Sequence, residues 1–174
     1  MKVFDSLHKW HPAIESTEVT GGNEAGATRV LTLKSGGTIN ETLKKFDDAS
    51  MSYMSQIDKM STVGQIDYEG HTFDVPAMPV SKYKSWFMVE ADGNGSKVTW
   101  IAKFLRTFTG NHHEPKALND DTAKAAISGF YQTGLESLEA SHELGFLVTL
   151  IQAPAGTVSF INCIKNRQKT LLSV

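Results

Sequence analysis

Arg29 and Glu41 are the first residues at which chemistry is expected, because both are charged and both sit in runs that alternate apolar and polar side chains. Between 28–34 and 38–47, Ser35-Gly36-Gly37 reads as a hairpin turn, since glycine supplies the positive φ that such turns need. With Lys34 opposite Thr38, antiparallel pairing sets Leu31 opposite Glu41 and Arg29 opposite Leu43. Arg29, Leu31, Leu33, Ile39, Glu41 and Leu43 then share one face, and its apolar majority marks it as interior. Arg29 and Glu41 become diagonal neighbours within reach of an ion pair. A charge on the inner face of a sheet is costly unless it is paired or left near water. Two roles follow: a polar anchor for a ligand's carboxylate, hydroxyl or carbonyl with Arg29 as the donor fork, or a structural pair closing one end of the interior. Acid–base work by Glu41 would need a second titratable group to divide the proton transfers, and the sequence shows none.

A second hairpin adds aromatic surface. Asp92-Gly93-Asn94-Gly95 is the strongest turn signal in the chain and joins strands over 82–91 and 96–106. Its register sets Phe87 opposite Trp100 and Tyr83 opposite Phe104, a wall that is core, cavity lining or both. Tyr53, on a strand over 51–59, adds a hydroxyl that a ligand could use. After Asn119-Asp120-Asp121, apolar residues at Ala123, Ala126, Ile127, Phe130, Gly134, Leu135 and Leu138 recur at helical spacing, so Ile127 and Phe130 complete the candidate lining. Strands followed by a long amphipathic helix indicate an α+β fold with the helix on one sheet face.

The remaining motifs carry less. Six histidines include His8, His11 and the run His112-His113-Glu114. A zinc site needs three or four converging ligands, which adjacent loop histidines do not supply, so no metal and no cofactor is expected. Trp10-His11-Pro12 reads as structural, with Pro12 ending a short helix and Trp10 capping the core. No glycine-rich phosphate loop and no nucleophile elbow occurs. At 174 residues and a net charge of −2, with basic residues dispersed, a single domain without a nucleic-acid footprint is expected. Cys163 is the one cysteine, the longest apolar stretch (145–151) is too short for a membrane span, and residues 1–5 hold no signal-peptide core. Cytoplasmic placement is the default reading.

The run from Trp10-His11-Pro12 through Gly26, Arg29, Gly37-Thr38-Ile39-Asn40-Glu41-Thr42-Leu43, Tyr53, Pro79-Val80-Ser81-Lys82-Tyr83 and Gly95-Ser96-Lys97-Val98-Thr99-Trp100 to Phe104 resembles the SRPBCC superfamily. That superfamily holds the START, Bet v 1 and polyketide cyclase/dehydrase relatives, and within it the sequence is most similar to the MxaD-like branch. The resemblance implies a helix-grip fold, a curved antiparallel sheet wrapped around one long helix, with a hydrophobic cavity for a small apolar or amphipathic molecule. Non-catalytic ligand or lipid binding is the leading expectation. The alternatives are a cyclase or aromatase acting on a carbonyl-containing chain, and an interaction protein whose cavity is filled by side chains.

Two features depart from the family pattern. An insertion over 61–75 is expected to turn an extra hairpin, 65–67 against 72–74, and to act as a lid at the cavity mouth. Relatives also begin with a strand and short helix that this sequence carries at its other end, as a circular permutation or a truncated tandem copy; an unrelated C-terminal extension is the alternative. Residues 1–141 are then a helix-grip domain lacking its first strand, and 142–174 supply that strand over 147–153 and that helix over 155–164, within the same structural domain. The strand is expected to pair with 96–106. It spans ~23 Å while the linker 141–146 reaches ~20 Å, so donation to a second copy, giving a homodimer by strand exchange, is preferred to closure within the chain.

Overall fold

Gly36 and Gly37, at φ of 96° and 87°, set the first hairpin. The computed structural model describes residues 4–93, 95–110 and 113–140, and the backbone of 145–151 and 157–165. Strands β2 (Thr28–Leu33) and β3 (Thr38–Asp47) pair with Arg29 directly opposite Glu41 and Leu31 opposite Ile39. The expected register is therefore two residues out. Lys34 does not pair with Thr38, because its N–H is taken by the Ala13 carbonyl at 3.0 Å, while Leu33 N–H closes the loop onto Gly37 O. A slip of two preserves the alternation of faces, so the inward set is the one expected. Leu31, Leu33, Ile39, Glu41 and Leu43 are all buried with Arg29.

Strands β1 (Ile14–Thr20), β4 (Ser52–Met60), β7 (Val80–Asp92) and β8 (Gly95–Arg106) extend this pair in the antiparallel order β1-β2-β3-β4-β7-β8. β1 was not legible in the sequence: among Ile14, Val19 and five polar residues only Ile14 is fully buried. The β7–β8 register runs as expected from Ala91↔Ser96 through Phe87↔Trp100 to Ser85↔Ala102, then breaks at a bulge between Ser81 and Lys84. Lys82 sits there at φ 49°. The extra residue removes the expected Tyr83–Phe104 pairing, although the two rings still stack at 6.5 Å. The insertion forms its own hairpin, β5 (Thr62–Tyr68) against β6 (His71–Pro76), with Ile66 opposite Phe73 as expected. Glu69 and Gly70 turn it with φ of 50° and 78°, the positive pair that a two-residue hairpin loop requires.

Helix α1 (Leu7–Trp10) stops at His11, which is extended, because a residue ahead of proline disfavours helical backbone. Helix α2 (Asp120–Ala140) starts where Asn119 Oδ1 accepts from Thr122 N–H at 2.9 Å. It buries Ala123, Ile127, Tyr131, Gly134, Leu135 and Leu138. The expected stripe erred at two places: Ala126 and Phe130 are half-buried, and Tyr131 takes the centre of the contact face. The architecture is α+β, a sheet gripping one long helix. Among the described residues no helix is long and apolar enough to cross a membrane.

The far side of β8 is closed by β10 (Thr157–Lys165), antiparallel to it with Phe160 opposite Trp100. β9 (Gly145–Ile151) pairs only with β10 and forms the outer edge. Two expectations are corrected here. The strand expected over 147–153 exists but does not touch β8, and the helix expected over 155–164 is the strand that does. A strand entering β8's edge directly from α2 would have to cover its own length within a short linker. Running outward as β9 and returning as β10 removes that constraint and pairs β8's open N–H and C=O groups. The linker residues 141–144, and 152–156 between the two strands, lie outside the described residues, so the domain boundary expected at 141 does too.

Candidate functional site

The site grows from the β2–β3 pairing. With Arg29 and Glu41 opposite one another on an inner face, Arg29 Nε and Nη2 both donate to Glu41 Oε2, at 2.7 Å and 2.6 Å. Nη1 donates to the carbonyl of Phe4 at 2.9 Å, and the Phe4 ring covers the guanidinium at 4.2 Å. The two side chains are 3% and 5% exposed. Burial pulls the Arg29 pKa down, but the Glu41 carboxylate outweighs it and holds the guanidinium above its ordinary value. Arg29 is therefore a satisfied cation whose fork is already filled by protein.

Further inward, buried hydroxyls pair with each other. Tyr83 on β7 and Tyr131 on α2 meet at 2.5 Å between their oxygens, and Ser55 on β4 meets Ser85 on β7 at 3.0 Å. Burial raises the pKa of both phenols, with the Glu41 charge adding to it for Tyr83 and the neighbouring phenol for Tyr131. Neither is poised as a base near neutral pH. Trp100 stacks on Tyr131 at 4.0 Å, and its buried Nε1 has no hydrogen-bond partner among the described residues.

These groups surround a closed space between sheet and helix, walled by Arg29, Glu41, Tyr83, Ser85, Trp100, Ile127 and Phe130 among others. It measures about 20 Å³, room for a single water. Of the residues expected to form a ligand site, Arg29, Glu41, Tyr83, Trp100, Ile127 and Phe130 converge on it. Tyr53 and Phe87, stacked at 5.4 Å, instead line a separate small cleft with Phe46, Met51 and Val89. Burial raises the Tyr53 pKa, with Arg29 opposing and Glu41 adding. Phe104 lines an outer groove. Sequence reasoning missed Ser85 and Tyr131, whose parity on β7 and whose spacing on α2 were the available signals.

His11 belongs to the frame rather than to the cavity. Its Nε2 donates to Phe130 O at 2.8 Å, Nδ1 accepts from Ala13 N–H at 3.2 Å, and its ring stacks on Phe130 at 3.9 Å. Burial lowers its pKa to about 4, so it is neutral in this arrangement. A methyl group on Gly134 would lie 2.4 Å from His11 Cδ2, so α2 approaches α1 only because residue 134 is glycine. Among the described residues no cluster of three metal-ligating side chains occurs, and His112 lies outside them.

Larger spaces lie outside the grip. Grooves of about 380 Å³ and 450 Å³ flank Phe108, the first against Phe104, Arg106 and Lys124, the second against His71, Phe73 and Leu118. The inserted hairpin enters the second of these, with Phe73 edge-on to Phe108 at 5.5 Å. It contributes no wall to the inner cavity, which removes the basis for the expected lid.

Residues 1–143 match the family model described as polyketide cyclase / dehydrase and lipid transport. No curated protein matches the chain. Among solved structures, an uncharacterised protein from Bacillus thuringiensis is 28% identical with a TM-score of 0.57, over 79% of this chain and 82% of that one. The protein XoxI from Bacillus cereus is 27% identical with a TM-score of 0.59, over 79% of each chain. Major latex-like protein 151 from Panax ginseng is 13% identical with a TM-score of 0.53, over 79% of this chain and 80% of that one, a likeness of fold alone.

Proposed function

The chain belongs to the polyketide cyclase/dehydrase and lipid transport family, within the SRPBCC superfamily, and from that premise we propose that it binds a small hydrophobic or amphipathic molecule between sheet and helix without transforming it. The observation that carries this reading is a buried Arg29–Glu41 pair on the wall of a largely apolar cavity between sheet and helix. A core built for stability alone is served as well or better by hydrophobic side chains of similar volume. Binding without reaction is supported by the pairing of every titratable group on the wall: Arg29 with Glu41, and Tyr83 with Tyr131. Acid–base turnover requires a group free to take and return a proton.

A volume of about 20 Å³ is too small for such a molecule, so on this reading binding requires sheet and helix to part. Phe130, half-buried on α2 and stacked on His11, lines that wall. The same small volume favours a second reading, an interaction protein with a filled core. Native mass spectrometry of the freshly purified protein, with Nile red titration of the extracted protein, separates the two. A bound small molecule, and dye binding that Ile127→Phe abolishes in protein whose circular dichroism still shows the fold, are expected. No adduct and no dye binding would leave the filled-core reading standing in its place.

A further inference from the structure

The polar groups on the cavity wall have protein partners, with one exception. Arg29 spends Nε and Nη2 on Glu41 and Nη1 on the Phe4 carbonyl. The Tyr83 hydroxyl meets Tyr131, and the Ser85 hydroxyl meets Ser55. Trp100 is 3% exposed and forms part of the same wall, yet its buried Nε1–H has no acceptor among the described residues. A buried donor left unmade costs far more than a typical made bond returns, so an occupant that supplies an acceptor gains most at this position.

The charge balance points the same way. Glu41 already neutralises Arg29, so a carboxylate entering this space would lose its hydration without meeting a free cation. We propose that the ligand is an uncharged molecule with an apolar body and one hydrogen-bond acceptor, a carbonyl or ether oxygen, that takes the Trp100 Nε1–H. The ligand class rests on the binding reading above and replaces the expectation that Arg29 anchors a carboxylate.

The test uses ¹⁵N-labelled full-length protein titrated with octane, 2-octanone and octanoate, which share a chain and differ at one end. The indole N–H resonances of Trp10, Trp86 and Trp100 are followed separately. 2-Octanone should bind about tenfold more tightly than octane, the worth of one recovered buried donor, and more tightly than octanoate. It should move the Trp100 resonance and leave that of Trp86, which lies on the outer face, in place. Trp100→Phe should erase the advantage of the ketone over octane. Octanoate binding as tightly as the ketone, or a Trp100 resonance unmoved at saturation, overturns the ligand class while leaving ligand binding intact. Failure of all three probes to bind overturns the binding reading and the ligand class together. The ranking and the resonance shift come from the unaltered protein, so they decide the question even where Trp100→Phe fails to fold.

Discussion

Arg29 shows how completely one side chain can be consumed by its own fold. Three of its donors go to protein acceptors and an aromatic ring covers its face. Arg29→Ala should leave Glu41 buried without a counter-charge and cost about 3–5 kcal/mol in urea unfolding. The double change Arg29→Met, Glu41→Leu should restore most of that loss, which a double-mutant cycle reads directly. His11 makes a prediction of opposite chemistry. Its folded pKa of about 4 lies below the unfolded value of 6.5. The unfolded chain therefore binds more protons between those values, and stability must fall as pH drops through that window. Its contribution is fully present above pH 6.5 and reaches about 3 kcal/mol for a shift of this size. Urea midpoints from pH 7 to pH 4 check the loss, and an NMR titration of His11 should place its midpoint near 4.

Elements meet in this protein through small residues at close approaches. Gly134 lets α2 lie against His11, and a Cβ there would sit 2.4 Å from the imidazole. Gly134→Ala should destabilise by about 1–3 kcal/mol through overpacking, against the gain of about 1 kcal/mol that alanine brings to a helix interior. Thermal unfolding gives the sign. The β5–β6 hairpin is attached differently. Its base is tied off by Ala77 N–H to Ser61 O at 2.9 Å and by Ser61 to Thr38. Replacing residues 62–76 with a short turn should leave the sheet intact by circular dichroism and a Tm lowered by only a few degrees, reflecting loss of the Phe73–Phe108 contact. Nile red binding should survive the deletion, because the hairpin walls an outer groove and not the cavity between sheet and helix.

At the scale of the whole molecule, the sheet depends on a return strand from far along the chain. β10 covers the edge of β8, which carries Val98 and Trp100, and β9 covers β10. Removing residues 141–174 should expose that edge and drive the protein into the insoluble fraction. A soluble truncation with unchanged Tm would count against the pairing. Light scattering on the full chain separates closure within one chain, as in this structure, from exchange between two copies.

Much of this was legible from local pattern. Period-2 alternation put Arg29 and Glu41 on the inner face, and a register error of two residues did not disturb that result, because parity survives an even slip. Turn chemistry at Glu69-Gly70 and at Gly93 placed two hairpins, and the cap at Asn119 placed the start of α2. Local pattern thus determined an α+β class with a helix on one sheet face and most of the inward-facing set, and the family resemblance supplied the helix-grip form. Only tertiary structure decided which of those residues meet. The Tyr83–Tyr131 bond depends on the bulge at Lys82 and on the rotation of α2 about its axis, while the β4–β7 register sets Ser55 against Ser85 and Tyr53 against Phe87. The helix expected over 155–164 came from the family pattern, whereas the β-branched and aromatic residues of 157–165 favour the strand that pairs with the free edge of β8. Periodicity specifies a face, but the volume enclosed between two faces is a small difference between packed side chains, and no single element of the chain encodes it.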